Sequence, residues 1–426
     1  MNSLFHRRRS MPMRNNSFAG SAVVIRSDGT PTGGNTDPAC SSTDQAPPGS
    51  GPVPGHSTGQ ASSLDADGRR RGARVLTWAN LRLAYWKNRR DVRGLIHLLA
   101  VAPRAAASAG RLWMTRYRSR RPVLVIALIE HIGDIVAAEP IARFARLRHP
   151  SHRVIWVTRH ANRELVASFS GVDQVLVVRC LTEWMLVWSW GVADIVWDLH
   201  LRSRICETCH IPLAKDPTAP DDTRYFMFGN LLDVECLCAG LPKLAESPRF
   251  APPTDVRLRV DHLNLPGRFF VIHCESSDPK KDWPADHWND LIARVRERYG
   301  IAVAEIGSRP KVAGREGGPA VRNLCGTLSV VESAEVIRRA ALFIGIDSGP
   351  AHLANAVGTQ GVILLGDYRA FRHYMPYSGG YQTGELADIV YAPGVVAQLP
   401  VAAAFAAIQA RLDRILPPTA APLRDA

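Results

Sequence analysis

At 426 residues and 46% hydrophobic, the chain is long enough for two or three domains and apolar enough to bury sizeable cores, which excludes a fibrous or wholly disordered class. The net charge of +13 is confined to one segment, because residues 69–121 carry 15 Lys and Arg against a single acid, Asp91, whereas residues 122–426 carry 32 basic and 33 acidic residues. The basic character therefore belongs to an appendage, and no nucleic-acid partner is expected for the body.

Residues 1–68 are rich in Ser, Gly, Pro, Asn and Thr with few large apolar residues, a composition that predicts a disordered tail. Residues 69–121 read as a basic, amphipathic helical segment. Trp78, Leu81, Tyr85, Val92, Leu95 and Leu99 recur at helical spacing with arginines on the other faces, and Pro103 is expected to end or kink the helix before a second basic stretch. Two readings stay open for this segment, with a nucleic-acid-binding arm a distant third. One is an interfacial helix pair held on an anionic membrane surface; the other is a helix packed on the body with a solvated basic face.

From Pro122 onward strands and helices alternate. Strands are predicted at Val123–Ile126, Val154–Thr158, Val175–Val178 and Ile195–Leu199, with helices at Ile135–Arg148 and Glu164–Ser168. Such alternation predicts a parallel, doubly wound sheet, here residues 122–250. The Pro-rich and charged stretch 251–267 reads as a linker. A second α/β unit, 268–400, follows. Its predicted strands are Phe269–His273, Ala302–Ile306, Leu342–Ile346 and Val362–Leu365, and its predicted helices are Trp283–Tyr299, Val331–Ala340 and Pro350–Val357. Residues 401–426 complete the chain with a terminal amphipathic helix and a tail. Two Rossmann-like units imply a cleft, with ligands beyond the carboxyl ends of the strands.

Three segments carry candidate chemistry. In Leu342-Phe-Ile-Gly-Ile-Asp347-Ser348-Gly349-Pro350-Ala-His352, an apolar strand ends at Asp347 and a helix starts at Pro350, so free amides face the crest of the sheet, a ready phosphate site. Asp347 reads equally as a helix cap. In His273-Cys-Glu-Ser276-Ser277-Asp-Pro-Lys280-Lys281-Asp-Trp283-Pro284, a strand runs into a loop with two lysines, point charges suited to a diphosphate or simply solvated. In Ile126-Ala-Leu-Ile-Glu130-His131-Ile-Gly133-Asp134, Gly133 allows close backbone approach, and Asp134 is either an N-cap or a general base.

Taken in order, Gly133-Asp134, then His273, Ser277 and Lys281-Asp-Trp283-Pro284, then Asp347-Ser-Gly-Pro-Ala-His352 resemble glycosyltransferase family nine, which contains the ADP-heptose:lipopolysaccharide heptosyltransferases. The resemblance covers about residues 122–415. It implies a GT-B fold and a metal-independent, inverting transfer, with the donor held by the second unit and the acceptor by the first. It also implies Asp134 as catalytic base, Lys281 on the donor phosphates, and Ser277, Asp347, Ser348, Gly349 and His352 around the donor. Gly133, His131 and Lys280 are further candidates for the acceptor or phosphate loop. The implied partners are a nucleotide-sugar donor and a glycolipid or glycan acceptor, with no cofactor. This chain departs from the family's pattern at Leu128 and Glu130-His131, at His273-Cys-Glu-Ser-Ser277, and at Gly366-Asp367-Tyr368, where Gly-Pro-Thr is common. A catalytically silent binding protein of the same fold, and a transferase acting on a protein acceptor, remain as alternatives.

Eight cysteines in no repeated framework read as reduced thiols of a cytoplasmic protein. Cys206-Glu-Thr-Cys209-His210 has c-type haem spacing, but haem attachment needs export, and no export signal is predicted. A four-thiolate metal site from Cys206, Cys209, Cys236 and Cys238 is the sharper reading; unliganded thiols are the expectation. Trp184, Trp188, Trp190 and Trp197 form either an acceptor platform or core packing, and core packing is expected. No apolar run reaches the length of a membrane-spanning helix, so any membrane contact would be peripheral, through residues 69–121.

Overall fold

The computed structural model describes residues 82, 86, 92–129, 131–202, 204–213, 220–312, 321–368 and 371–415, together with the pair Val23–Val24. The tail assigned to residues 1–68 otherwise lies outside the described residues, as do the first turns of the basic segment and the extreme C-terminus. Val23–Val24 forms β1, a two-residue strand.

Helix α1 spans Val92–Ser119 without a break at Pro103. The expected interruption is overridden by packing: Val101, Ala105, Ser108, Ala109 and Leu112 are buried against the body, and Ser108 Oγ donates to Glu183 Oε1 at 2.9 Å. That burial offsets the roughly 3 kcal/mol cost of a mid-helix proline. The helix thus satisfies the packed reading on one face, while Ile96, Leu99, Trp113 and Tyr117 stand exposed on others.

The first sheet is built from β2 (Val123–Ala127), β3 (Arg153–Thr158), β4 (Gln174–Val177) and β5 (Ile195–Asp198), all parallel, in the order β4-β3-β2-β5. Every residue of β2 is buried, as expected of a parallel strand covered on both faces. Between β2 and β3 the single predicted helix is two, α2 (Ile132–Ala137) and α3 (Glu139–Arg148). Pro140 supplies no N–H to continue the first helix, so the chain restarts with proline in the first turn. Helices α4 (Arg163–Ala167) and α5 (Leu181–Ser189) complete the connections. Within α5, Trp184 is buried and stacks on Trp188 at 6.1 Å, and Trp197 is also buried. These tryptophans are core; Trp190 alone of the group is exposed.

After α6 (Leu231–Ala239), the stretch read as a linker contains α7 (Thr254–Asp261). Val256 and Val260 lie one turn apart and are buried, and Arg259 pairs with Glu332 at 2.8 Å. The proline and charge content of the stretch masks this two-residue apolar stripe.

The second sheet comprises β6 (Phe269–His273), β7 (Ala302–Glu305), β8 (Arg322–Asn323), β9 (Leu342–Ile346), β10 (Gly361–Leu365) and β11 (Ala387–Tyr391), parallel throughout, with β1 antiparallel on the β11 edge. Its order is β1-β11-β10-β9-β6-β7-β8. The covering helices are α8 (Ala285–Tyr299), α9 (Val330–Arg339), α10 (Gly349–Ala356), α11 (Gly380–Thr383) and α12 (Val401–Ile415). In each sheet the strand order reverses once, between β2 and β5 in the first and between β6 and β9 in the second. Open α/β sheets bind ligands at such reversal points, beyond the carboxyl ends of the strands.

One apolar cluster runs through both sheets, including Ile126 and Trp156 of the first and Phe343 and Ile363 of the second. A polar clamp reinforces it. Glu139 of α3 is buried, receives the Arg143 guanidinium at 3.0 Å, and accepts from the Arg249 amide at 2.9 Å; Arg143 also donates to the Ser247 carbonyl at 2.7 Å. Phe250 N–H donates to the carbonyl of Ala356 at 2.9 Å, so the connecting strand is fastened to both halves. Replacing Glu139 with Ala strands a buried amide and a guanidinium, and is expected to lower unfolding free energy by about 2–3 kcal/mol in urea titration. Glu139→Gln should recover part of that loss.

Candidate functional site

The two reversal points face each other. From the first sheet, the loop after β2 leads through His131 into α2, which carries Gly133 and Asp134. From the second, the loops after β6 and β9 carry Lys281 and Asp347-Ser348-Gly349. Backbone meets backbone at the join. A side chain at Gly133 would come within 3.0 Å of the His352 ring, and one at Gly349 within 3.2 Å of Ile132 and 3.6 Å of the Gly133 nitrogen. Glycine at both positions leaves α2 and α10 room to approach, and a Cβ at either would make His352 or Ile132 give way.

The first half is held by a buried hydrogen-bond chain. The Ile129 amide donates to His200 Nε2 at 3.1 Å, which fixes the ring proton on Nδ1, and Nδ1 donates to Asp198 Oδ1 at 2.9 Å. Arg202 and Trp184 also donate to Asp198, at 2.7 and 2.9 Å. Burial alone would raise the Asp198 carboxyl, but His200, Arg202 and Trp184 together hold it below the ordinary range. The loop that delivers His131 is thereby anchored to β5. His131 itself adopts φ 57°, a sparsely populated conformation of the kind found at functional turns, and its Nε2 meets the Arg204 guanidinium.

In the second half, Lys281 Nζ pairs with Asp347 Oδ2 at 2.8 Å and sits 4.6 Å from the centroid of the Tyr368 ring. Burial would lower the Lys281 ammonium, but Asp347 raises it above its usual value, so it stays a cation. Ser348 Oγ lies 3.0 Å from His273 Nδ1, joining the ends of β6 and β9. His352 is buried beside Tyr377, at 4.6 Å between rings, and burial depresses its imidazole to about 4; it is neutral at pH 7. Ser277 and Lys280 are exposed on the loop, whose shape is set by Ser276 and Asp278. Asp282 accepts from the Ser276 amide at 2.8 Å and pairs with Lys311 at 3.0 Å.

Asp134 lies between the halves. Burial raises its carboxyl above the ordinary value, His131 and Arg204 pull it back, Asp347 raises it further and Lys281 lowers it. Asp347 and Lys281 therefore act on this carboxyl across the join, while His131 and Arg204 act from its own side. Of the sequence candidates, Gly133, His131, Asp134, Lys281, Asp347, Ser348, Gly349 and His352 come together here. Ser277 and Lys280 stand at the rim.

Sequence reasoning missed three features. Glu235 of α6 is buried, has no hydrogen-bond partner for either carboxylate oxygen among the described residues, and is raised well above the usual carboxyl range by burial and by Asp134. Tyr368 occupies the place where the Gly-Pro-Thr departure was noted, and its hydroxyl donates to Asp278 at 2.6 Å. An aromatic cluster joins the halves: Phe226 lies 4.4 Å from Phe371, and Tyr225 lies 5.8 Å from Tyr374. Phe371 and Tyr374 line a recess with Lys281, Asp347, Leu365 and Tyr368. The run Tyr225-Phe-Met-Phe228 was its only trace in the sequence.

This architecture defines the class: the fold is GT-B, two Rossmann-like sheets facing a cleft. It is shared with the glycosyl transferase family 9 structure from Veillonella parvula DSM 2008, at TM-score 0.53 and 17% identity over 68% of this chain and 97% of that one. It is also shared with the ADP-heptose lps heptosyltransferase II of E. coli, at TM-score 0.51 and 14% identity over 69% and 99%. In sequence, residues 239–381 match the model of Glycosyltransferase family 9 (heptosyltransferase), a span that holds the second and third of the three motifs but not Gly133-Asp134. Lipopolysaccharide heptosyltransferase 3 of Escherichia coli (strain K12) is 29% identical over 119 residues, 26% of this chain and 34% of that protein. The aligned segment thus spans about a third of the curated relative. Among the described residues no helix is long and apolar enough to cross a membrane.

Glu235 gives this site a pH signature. Its folded-state value exceeds its unfolded one, so the protonated form favours folding, and that contribution is lost as pH rises through the folded value. Glu235→Gln removes the loss. Stability of the variant minus that of the parent should increase with pH above about 4.3, by up to about 1.4 kcal/mol per unit. A pH-independent difference in thermal or urea unfolding would contradict the assignment.

Proposed function

We propose that the chain is an inverting, metal-independent glycosyltransferase that moves heptose, or a related sugar, from a nucleotide diphosphate donor to a glycan hydroxyl. Lipopolysaccharide core is the favoured acceptor and ADP-heptose the favoured donor, in keeping with the printed names of the relatives. The observation that carries the reading is the opposition of Asp134 to the Lys281–Asp347 pair and the start of α10 across the close approach at Gly133 and Gly349.

In this reading the acceptor oxygen attacks the anomeric carbon and its proton passes to Asp134. The bond from that carbon to the diphosphate oxygen breaks, and the electron pair leaves on the nucleoside diphosphate. Lys281 and the Gly349 amide at the start of α10 meet the developing charge. A carboxyl raised by burial is a stronger base than an ordinary aspartate, which suits abstraction of a hydroxyl proton. His352, neutral and buried, adds no competing charge. Asp134→Asn should abolish transfer while leaving nucleotide-diphosphate binding within about twofold; Lys281→Ala should weaken donor binding about 10- to 100-fold, the worth of a charged hydrogen bond. Calorimetry with ADP and ADP-sugars, beside a transfer assay, checks both. A parent protein that binds donors but transfers to no acceptor would favour the silent-binding alternative.

The same reading puts the enzyme on the cytoplasmic face of the inner membrane, held by the basic helix. Trp113 and Tyr117 stack at 5.5 Å, are 56% and 70% exposed, and rim a groove with Arg116, Arg120 and Arg121. Exposed aromatics set among arginines suit the interface of an anionic bilayer. In vesicle sedimentation the protein should bind phosphatidylglycerol-containing but not neutral vesicles, and the Trp113→Ala/Tyr117→Ala double variant should bind about tenfold more weakly. Equal binding to both vesicle types would contradict the placement.

A further inference from the structure

Four metal-ligating side chains from three separate segments converge at the back of the first sheet, away from the join described above. His97 comes from α1, Cys180 is the residue preceding α5, and Cys206 and Cys209 bracket the turn after β5. His97 Nε2 lies 3.4 Å from Cys180 Sγ, and Cys180 Sγ lies 4.0 Å from Cys209 Sγ. The donor atoms of His97, Cys180 and Cys209 all fall within 4.8 Å of one another. Cys206 is within hydrogen-bonding reach of both other thiols, and its sulfur accepts from the Cys209 amide at 3.4 Å.

These separations can be compared with a tetrahedral site. Metal–sulfur and metal–nitrogen bonds of about 2.3 and 2.0–2.1 Å place two sulfurs about 3.8 Å apart and a nitrogen about 3.5 Å from a sulfur. The Cys180–Cys209 and His97–Cys180 separations of 4.0 and 3.4 Å match, and Cys206, which stands outside that three-residue group, closes in from the same turn as Cys209 to supply the fourth bond. A disulfide would need a sulfur separation of about 2.05 Å. All three thiols are fully buried, and the turn that carries two of them is closed by bonds from Cys206 N–H to the Ile211 carbonyl and from Leu213 N–H to the Arg204 carbonyl, each 2.8 Å.

We propose that His97, Cys180, Cys206 and Cys209 bind one tetrahedral, thiolate-preferring transition-metal ion, Zn²⁺ or Fe²⁺, as a structural tie. This corrects the grouping read from the sequence. Cys236 and Cys238 sit on α6, and Cys236 belongs to the core cluster on the opposite face of the sheet, so the CxxC pair finds its partners at Cys180 and His97 instead. On binding, the thiol protons pass to solvent and the thiolates bond to the cation. The tie joins the basic helix to the body and fixes the turn next to Arg204, whose guanidinium meets His131 at the mouth of the candidate site. None of the four ligands is a reacting group of the transfer proposed above.

Elemental analysis of the full-length protein, purified without immobilised metal or chelator, tests this directly. About one equivalent of zinc or iron per chain is expected, and parallel aerobic and anaerobic preparations distinguish the two metals. After removal of the native ion, Co²⁺ should give an intense tetrahedral ligand-field spectrum with a thiolate-to-cobalt charge-transfer band. Cys206→Ser/Cys209→Ser should lose the metal, whereas Cys236→Ser/Cys238→Ser should keep it. If the first variant does not fold, His97→Ala supplies the contrast, with a shifted cobalt spectrum at retained charge-transfer intensity. Less than about a tenth of an equivalent of metal in every preparation, with no cobalt charge-transfer band, overturns the proposal. So does a Cys180–Cys209 disulfide found by mass spectrometry in the native protein.

Discussion

Everything in the candidate site depends on one close approach, where the backbone at Gly133 packs against His352 and the backbone at Gly349 packs against Ile132. Each sheet brings a loop to its own reversal point for reasons internal to that sheet: parallel pairing, buried strands, and a helix that must start just beyond the strand. At the crossing each glycine faces a side chain of the other half, Gly133 the His352 ring and Gly349 the Ile132 side chain, and this interlock makes one site of two crevices. The Glu139 clamp and the Phe250–Ala356 bond hold the same geometry from behind. The connection between the halves is therefore fastened on the side away from the recess, leaving the recess lined by Lys281, Asp347 and the aromatic cluster.

The electrostatics follow from that closure. Bringing Asp134, Asp347 and Glu235 into one poorly solvated region disfavours charge on all of them, and the molecule answers in three ways. Asp347 is paired with Lys281, Glu235 is held towards its neutral form, and Asp134 is raised but offset by His131 and Arg204. His273 and His352 are both depressed to about 4 by burial, so the cation on this side is a lysine. In the reaction proposed above, such a division of protonation states would separate a base from a site for an anionic leaving group within a small volume.

Much of this was legible in the sequence, and the limits have physical causes. The strands at Phe269–His273 and Leu342–Ile346 were read to the residue because a fully buried parallel strand is a continuous apolar run. Helix α7 and strand β11 were missed. Two buried valines among charges, and the mixed run Ala387-Asp-Ile-Val-Tyr391 on the more open side of the sheet, give weak periodicity. Pro103 misled in the opposite sense, since local propensity predicted an end that tertiary packing overrode. The site residues carried by turn chemistry were visible as Gly-Asp and Asp-Ser-Gly-Pro. Glu235, Tyr368 and Phe226 were not, because each acts through a contact far away in the chain, ninety residues for Tyr368 with Asp278, which no local pattern encodes. The cysteines show the same limit: spacing exposed Cys206 and Cys209, but only the fold brings Cys180 and His97 to them.

The central claim is that the two reversal points form one site, with the carboxyl of α2 facing a diphosphate held at the start of α10. A crystal structure with an unreactive nucleotide-diphosphate sugar addresses it most directly. The diphosphate is expected against Lys281 and the Gly349 amide, the base moiety in the aromatic-lined recess, and the anomeric carbon turned towards Asp134, close enough for an acceptor hydroxyl to bridge them. A diphosphate bound elsewhere, or a sugar turned away from Asp134 with the cleft closed, would contradict it.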